Sequence, residues 1–221
     1  MRMRRKPWAR PELAQCPYYI ERADAMKGKW HTVFDDNSKP LYVELGCGKG
    51  VFVAQAALRY PDVNWIAVDI KSEMLAVGRR TIEKLFAEAG KKPENIRLVS
   101  DNISMISNAF STEDTVDRIY INFCNPWPRG KHQKRRLTHT RQLEQYRIFL
   151  KDGGEIRFKT DDDQLFEESI PYFEETGFEI KYITRDLHAE NLEDNIVTEH
   201  EKMFSEEGKK IKYLIAVKKP L

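Results

Sequence analysis

The sequence predicts an α/β fold, a mostly parallel sheet with helices on both faces, on three observations. Short apolar runs alternate with stretches of helical periodicity. The first well-formed run ends directly in a glycine-rich turn that opens a helix. The last two strand-like runs have no clear helix between them, so they predict an antiparallel edge.

The elements follow in order. Residues 1–38 read as a basic arm and helical extension, broken by Pro7, Pro11 and Pro17 and closed by the turn Asp35-Asp36-Asn37-Ser38. Residues 39–221 read as one domain. Leu41–Leu45 is a strand, and Val51 to Tyr60 is a helix that stops before Pro61. Asn64 to Asp69 is the second strand. Glu73 to Ala89 is a helix closed by Gly90. Ile96 to Val99 and Asp117 to Phe123 are strands three and four. Thr138 to Leu150 is a helix ending near Gly153-Gly154, and Glu155 to Lys159 is the fifth strand. Gln164 to Thr176 is a helix with a bend expected at Pro171. Phe178 to Thr184 and Tyr213 to Val217 complete seven strands.

Composition narrows the function. The 221 residues are 41% hydrophobic and 33% charged, with a net charge of +2. No apolar run approaches the roughly 20 residues that span a bilayer, and no apolar stretch follows the basic N-terminus, as a secretory signal requires. Cys16, Cys47 and Cys124 are far apart and odd in number, so neither a zinc site nor a disulfide framework is expected, and a reducing cytoplasm fits. The five histidines lack ligand spacing, so no metal is expected. The basic charge is concentrated in residues 2–10 and 129–136, neither of which contains an acid. Such segments point to a polyanion.

Two segments carry chemistry. In Glu44-Leu45-Gly46-Cys47-Gly48-Lys49-Gly50, the glycines let a ligand lie against bare backbone at the carboxyl edge of the sheet. The G-x-G-x-G spacing departs from the dinucleotide fingerprint, and no Lys-Ser or Lys-Thr pair marks a P-loop. Glu44 would repel a pyrophosphate but suits a cationic or amine-bearing ligand. Asp69 closes the second strand, where an acid can accept from both ribose hydroxyls of a nucleoside. This pattern resembles the class I S-adenosylmethionine-dependent methyltransferases, which implies a Rossmann-like seven-stranded sheet with an antiparallel edge strand and S-adenosyl-L-methionine as cofactor. In such enzymes the position of Asn102 holds the adenine edge.

The second segment is Asn122-Phe123-Cys124-Asn125-Pro126-Trp127-Pro128, followed by Arg129-Gly130-Lys131-His132-Gln133-Lys134-Arg135-Arg136. Two prolines fix the loop, Trp127 offers a stacking face, and the cations suit phosphates. The run from Phe123 to Leu137 resembles the signature of bacterial tRNA (guanine-N7)-methyltransferases. Pro7-Trp8, Phe158-Lys159-Thr160-Asp161 and Thr198-Glu199-His200-Glu201 extend the resemblance over nearly the whole chain.

The resemblance implies methylation of guanosine 46 in the tRNA variable loop by a cytoplasmic monomer or homodimer. It implies cofactor contacts from Glu44, Gly46, Gly48, Gly50, Asp69, Asn102 and Asn125, with Asn125 at the catalytic position. It implies substrate contacts from Arg129, Asp161, Thr198, Glu199, His200 and Glu201. Arg4, Arg5, Lys131, Lys134, Arg135 and Arg136 would meet tRNA phosphates. The chain departs from the family at Asn125, where Asp is usual, at Arg129, where Lys is common, and at His200, where Tyr is common. Two alternatives remain: a class I methyltransferase acting on another substrate, against which the basic segments argue, and a non-catalytic RNA-binding protein, which only Asn125 favours. An NAD-dependent dehydrogenase is disfavoured by the glycine spacing.

Overall fold

A computed structural model describes residues 6–220. Eight strands form one sheet: β1 (Tyr19–Ile20), β2 (Leu41–Leu45), β3 (Asn64–Asp69), β4 (Ile96–Ser100), β5 (Val116–Asn122), β6 (Leu150–Thr160), β7 (Phe178–Thr184) and β8 (Lys212–Lys218). Their order is β1-β4-β3-β2-β5-β6-β8-β7. All pairings through β6 are parallel, whereas β8 runs antiparallel to both β6 and β7. The mostly parallel sheet with an antiparallel edge is therefore present. In detail, the reversed strand is the last in the chain and lies one in from the border.

The central strands are apolar on both faces because helices cover both. In β3, Trp65, Ile66, Ala67 and Val68 are all fully buried. On one face lie α1 (Ala9–Ala14), α2 (Val51–Arg59) and α3 (Ser72–Glu88), packed around Trp65, Phe52 and Tyr120. On the other lie α4 (Thr140–Phe149) and α5 (Asp163–Glu175), with Phe149, Phe158 and Phe166 between them and the sheet. α5 runs on through Pro171.

The eighth strand is β1, two residues paired beside β4. It belongs to the segment read from the sequence as an extension. Residues 9–34 are built into the body. Ala9 and Leu13 are buried against α3, and Trp30 stacks on Phe110 at 5.0 Å while its indole N–H donates to the Ala109 carbonyl at 2.8 Å. β6 begins at Leu150, earlier than the sequence suggests, because the strand continues through Gly153-Gly154 with a register shift opposite Val116 and Arg118. A further helix, α6 (Glu199–Glu206), lies between β7 and β8, where the hydrophobic periodicity of the sequence shows no clear helix. Among the described residues no helix is long and apolar enough to cross a membrane.

Candidate active site

The strand order reverses at β2, whose neighbours β3 and β5 are followed by connections to opposite sides. In open α/β sheets ligands bind in the crevice outside the carboxyl ends at such a point. The loop after β2 occupies it. Gly46, Gly48 and Gly50 have φ of 85°, 52° and 67°. This is the left-handed region, which glycine enters without a Cβ penalty. The loop is tied down by its backbone: the Gly46 and Cys47 amides donate to the Val68 carbonyl at 2.8 and 3.0 Å.

Gly50 sits directly on Gly78 of α3, and a Cβ on Gly78 would lie 3.2 Å from the Lys49 carbonyl carbon. Gly78→Ala is therefore expected to destabilise the protein by about 1 kcal/mol. Overpacking costs about 1–3 kcal/mol, and better helix propensity returns about 1. Chemical denaturation measures this, and a stabilised variant would mean that the two elements can part freely.

Glu44, the last but one residue of β2, is almost wholly buried, at 3% exposure. One carboxylate oxygen accepts from the Asn122 amide at 3.2 Å. The other has no hydrogen-bond partner, nor has the Asn122 side-chain oxygen. Burial pushes the Glu44 carboxyl up to about 8, and the nearby Asp69 charge adds to the rise. The Asn122 hydrogen bond, the Val53 backbone amide at the start of α2 and the Lys159 ammonium oppose it. Asp69 accepts from the Gly48 amide at 3.0 Å and from the Lys71 amide at 2.8 Å, which hold its carboxylate at the mouth of the loop. Burial raises its carboxyl above the usual value.

A cavity of about 150 Å³ opens here, bounded by Glu44, the Gly46–Lys49 backbone, Met74, Asn122 and Phe123. Beyond the next strand, the Asp101 amide donates to the Asp69 carbonyl at 3.2 Å. The Asn102 side chain is exposed and caps the Ser104 amide at 3.1 Å. Glu44, the glycines, Asp69 and Asn102 thus follow the ends of three adjacent strands.

The segment after β5 is the second wall. Phe123 and Trp127 have φ of 51° and 43°. These left-handed values cost non-glycine residues about 1–3 kcal/mol each and mark functional loops. Asn125 is exposed, and its side-chain oxygen accepts from the Trp127 amide at 3.0 Å. Arg129, Lys131, Lys134 and Arg135 are exposed along the 3₁₀ turn Gly130–Arg135, and none forms an ion pair among the described residues. Arg135 lies over the Trp127 ring at 5.1 Å. Arg136 departs from the expected phosphate role. Its side chain is only 1% exposed, donating to the Pro126 carbonyl and pairing with Glu168, so no phosphate can reach it. Arg4 and Arg5 lie outside the described residues.

The last wall is α6. Thr198 and Glu201 form a reciprocal capping box, Thr198 accepting from the Glu201 amide at 3.0 Å. This helix brings Thr198, Glu199 and His200 onto the cavity, where Glu199 bridges to Lys49 of the glycine loop at 2.9 Å. His200 stacks on Phe123 at 6.0 Å. Glu201 is different from its neighbours. It is fully buried, paired with Lys159 at 3.0 Å, and approached by His188 at 3.1 Å and the Asn195 amide at 2.8 Å. A side chain so enclosed anchors α6 and cannot touch a substrate directly. Asp161 stands apart, at the end of β6, in a depression lined by Lys209, Lys210 and Lys212. Its carbonyl accepts from Lys212 at 3.0 Å.

Sequence reasoning missed Asn122, Lys49 and Lys159. All three stand inside segments that the sequence singles out, but no local pattern shows that Asn122 meets Glu44, that Lys49 bridges to α6 or that Lys159 is buried against Glu201. The signal for α6 was present, because Thr198-x-x-Glu201 is a capping box. Among the described residues no cluster of His, Cys, Asp and Glu could hold a metal ion.

A Rossmann-like sheet with a glycine loop at its switch point and acids at the ends of β2 and β3 defines the class I methyltransferase fold. Solved structures agree on the fold. The 16S rRNA methyltransferase KamB, 12% identical, superposes with a TM-score of 0.59 over 86% of this chain and 91% of its own. A putative S-adenosylmethionine dependent methyltransferase from Listeria monocytogenes, 15% identical, gives 0.54 over 87% and 97%. The sequence profile of a family described as "Putative methyltransferase" matches residues 38–214. A Clostridium beijerinckii protein named tRNA (guanine-N(7)-)-methyltransferase is 60% identical over 218 residues, 99% of each chain. The chain belongs to this family of tRNA (guanine-N(7)-)-methyltransferases.

Proposed function

We propose that this protein transfers a methyl group from S-adenosylmethionine to N7 of a guanine in tRNA, at position 46 of the variable loop. The observation that carries the reading is the buried, half-satisfied Glu44–Asn122 pair beneath a glycine loop, with a partly exposed Asn-Pro-Trp-Pro segment and four exposed cations after the next strand.

The residues present fit the cofactor. The free oxygen of Glu44 and that of Asn122 are acceptors without donors, and a cationic amine would satisfy both. Asp69 retains lone pairs for ribose hydroxyls, and Asn102 can both donate to and accept from an adenine edge. When bound, the cofactor supplies a methyl group activated by a sulfonium. The rest of the work is positional. Guanine N7 carries a lone pair and no proton, so the chain needs no general base and must hold the ring in line. Asn125 and Trp127 follow Phe123, which lines the cavity, and would offer the base an amide and an aromatic ring. Arg129, Lys131, Lys134 and Arg135 serve the phosphates, which set affinity and register more than base choice. Thr198, Glu199 and His200, which line the cavity, would serve the substrate, and Asp161 would meet it only from its separate depression after β6. Glu201 serves that side through the helix it anchors.

The test incubates the protein with labelled cofactor and unmodified tRNA, followed by chain cleavage at N7-methylguanosine. A single cut at the variable-loop guanosine is expected, and a guanosine-to-adenosine change there should abolish it. Labelling elsewhere, or none, overturns the reading. Asn125→Asp is expected to leave transfer intact and to tighten cofactor binding modestly, because a charge is restored near a cation. A wild-type protein that transfers nothing while the Asp variant does would show that the amide disables the site.

A further inference from the structure

We infer that Arg136 is a positioning residue: a buried guanidinium that clamps the Asn125-Pro126-Trp127 loop to α5 and so sets where Asn125 and Trp127 stand. The inference rests on the reading above and adds to it a residue whose charge never meets RNA.

Three observations carry it. First, Arg136 is the last cation of a run whose other members are exposed, yet its side chain is 1% exposed. A basic side chain is rarely interred without a partner. Second, two of its three nitrogens are committed, one to the loop and one to α5, while Nη2 is buried without a partner. Nε donates to the Pro126 carbonyl at 2.7 Å, and Nη1 pairs with Glu168 of α5. Glu168 is itself held by Gln133 at 3.2 Å and Gln164 at 2.8 Å, so the counter-charge is fixed in place. Third, Pro126 has no backbone N–H and lies between Asn125 and the left-handed Trp127. The loop's own tether is the single Asn125–Trp127 hydrogen bond. Arg136 supplies the tie from loop to scaffold, and a planar guanidinium can reach carbonyl and carboxylate together where an ammonium presents one point charge.

A displacement of about 1 Å in a positioning element can lower turnover on the order of 100-fold. The experiment compares wild type, R136K and the double variant R136M/E168L. The double variant removes both charges at once, so it leaves no uncompensated carboxylate. Four quantities are measured: turnover at saturating tRNA and cofactor, tRNA affinity by gel shift, thermal unfolding, and the rate of tryptic cleavage within residues 129–135.

In the double variant we expect turnover to fall about 10- to 100-fold, tRNA affinity to stay within threefold, and cleavage to speed up at least tenfold without a change in global unfolding. R136K should recover less than half of the lost turnover. Unchanged turnover overturns the proposal, as does full rescue by lysine. A loss confined to tRNA affinity also overturns it and returns Arg136 to the phosphate contacts. Should R136M/E168L unfold, R136K decides alone, by turnover against cleavage. Should wild type fail to methylate tRNA, the functional reading falls, while the cleavage rate still decides whether Arg136 clamps the loop.

Discussion

At pH 8, Glu44→Gln is expected to resist denaturant better than wild type by a few kcal/mol while binding S-adenosylmethionine about 30- to 100-fold more weakly. Both effects come from one buried oxygen. Burial holds the Glu44 carboxyl up at about 8, against an ordinary value of 4.5. The folded protein therefore binds a proton that the unfolded chain has already released. Stability attributable to this group is complete below about pH 4.5, is lost as pH rises toward 8, and is level above that. Glutamine never ionises, so the variant lacks this slope and gains most at the alkaline end. Its amide can also donate to the orphaned Asn122 oxygen.

The binding loss follows from charge. A hydrogen bond to an ionised group contributes about 1.5–3 kcal/mol, which glutamine forfeits. Because a cation stabilises the carboxylate, wild type should release close to one proton on binding cofactor at pH 7. Glu44→Gln should release none from this site. Titration calorimetry in buffers of different ionisation enthalpy counts that proton, and equal release by both proteins would refute the assignment.

The second large effect concerns the buried pair under α6. Lys159→Met is expected to cost about 3–5 kcal/mol, because Glu201 is left charged and fully enclosed. Lys159 donates to Glu201 at 3.0 Å, to the Ile196 carbonyl at 3.0 Å, and to the Asn195 side chain. Three anchors for the segment leading into α6 disappear together. Burial lowers the lysine below its usual value, and the Glu201 charge pulls it back. K159M/E201L should recover most of the stability, since an apolar pair of similar volume needs no desolvated charge. Guanidinium unfolding of the three proteins gives the comparison. If the double variant is no better than the single one, the loss lies in the hydrogen bonds to residues 195 and 196 instead.

The sheet and its switch point were legible in the sequence because buried parallel strands are written as apolar runs and glycine punctuates the turns. Glu44, Asp69 and the Asn125–Arg135 segment could be placed by their positions at strand ends. What stayed hidden depends on burial. Arg136 and Arg135 are adjacent cations in one basic run, yet one is interred and the other faces solvent, and no local pattern separates them. The helix at Glu199–Glu206 has no apolar stripe to show in the sequence because its buried member is a glutamate, whose partners Lys159 and Asn195 come from β6 and the loop before the helix. β1 is two residues long and owes its existence to β4. The early start of β6 was masked by Gly153-Gly154, which a strand pattern tolerates only as an irregularity.

One topological detail reaches back to biosynthesis. β8 separates β6 from β7, so β7 has no neighbour to pair with until residue 218 has been made and has cleared the ribosome. During translation the nascent chain therefore displays two open edges, β6 and β7, which are templates for pairing with other chains. Stalling or premature termination near residue 211 would leave that gap permanently unfilled, and the shortened product would be a substrate for chaperones or proteases, not for assembly into a working domain.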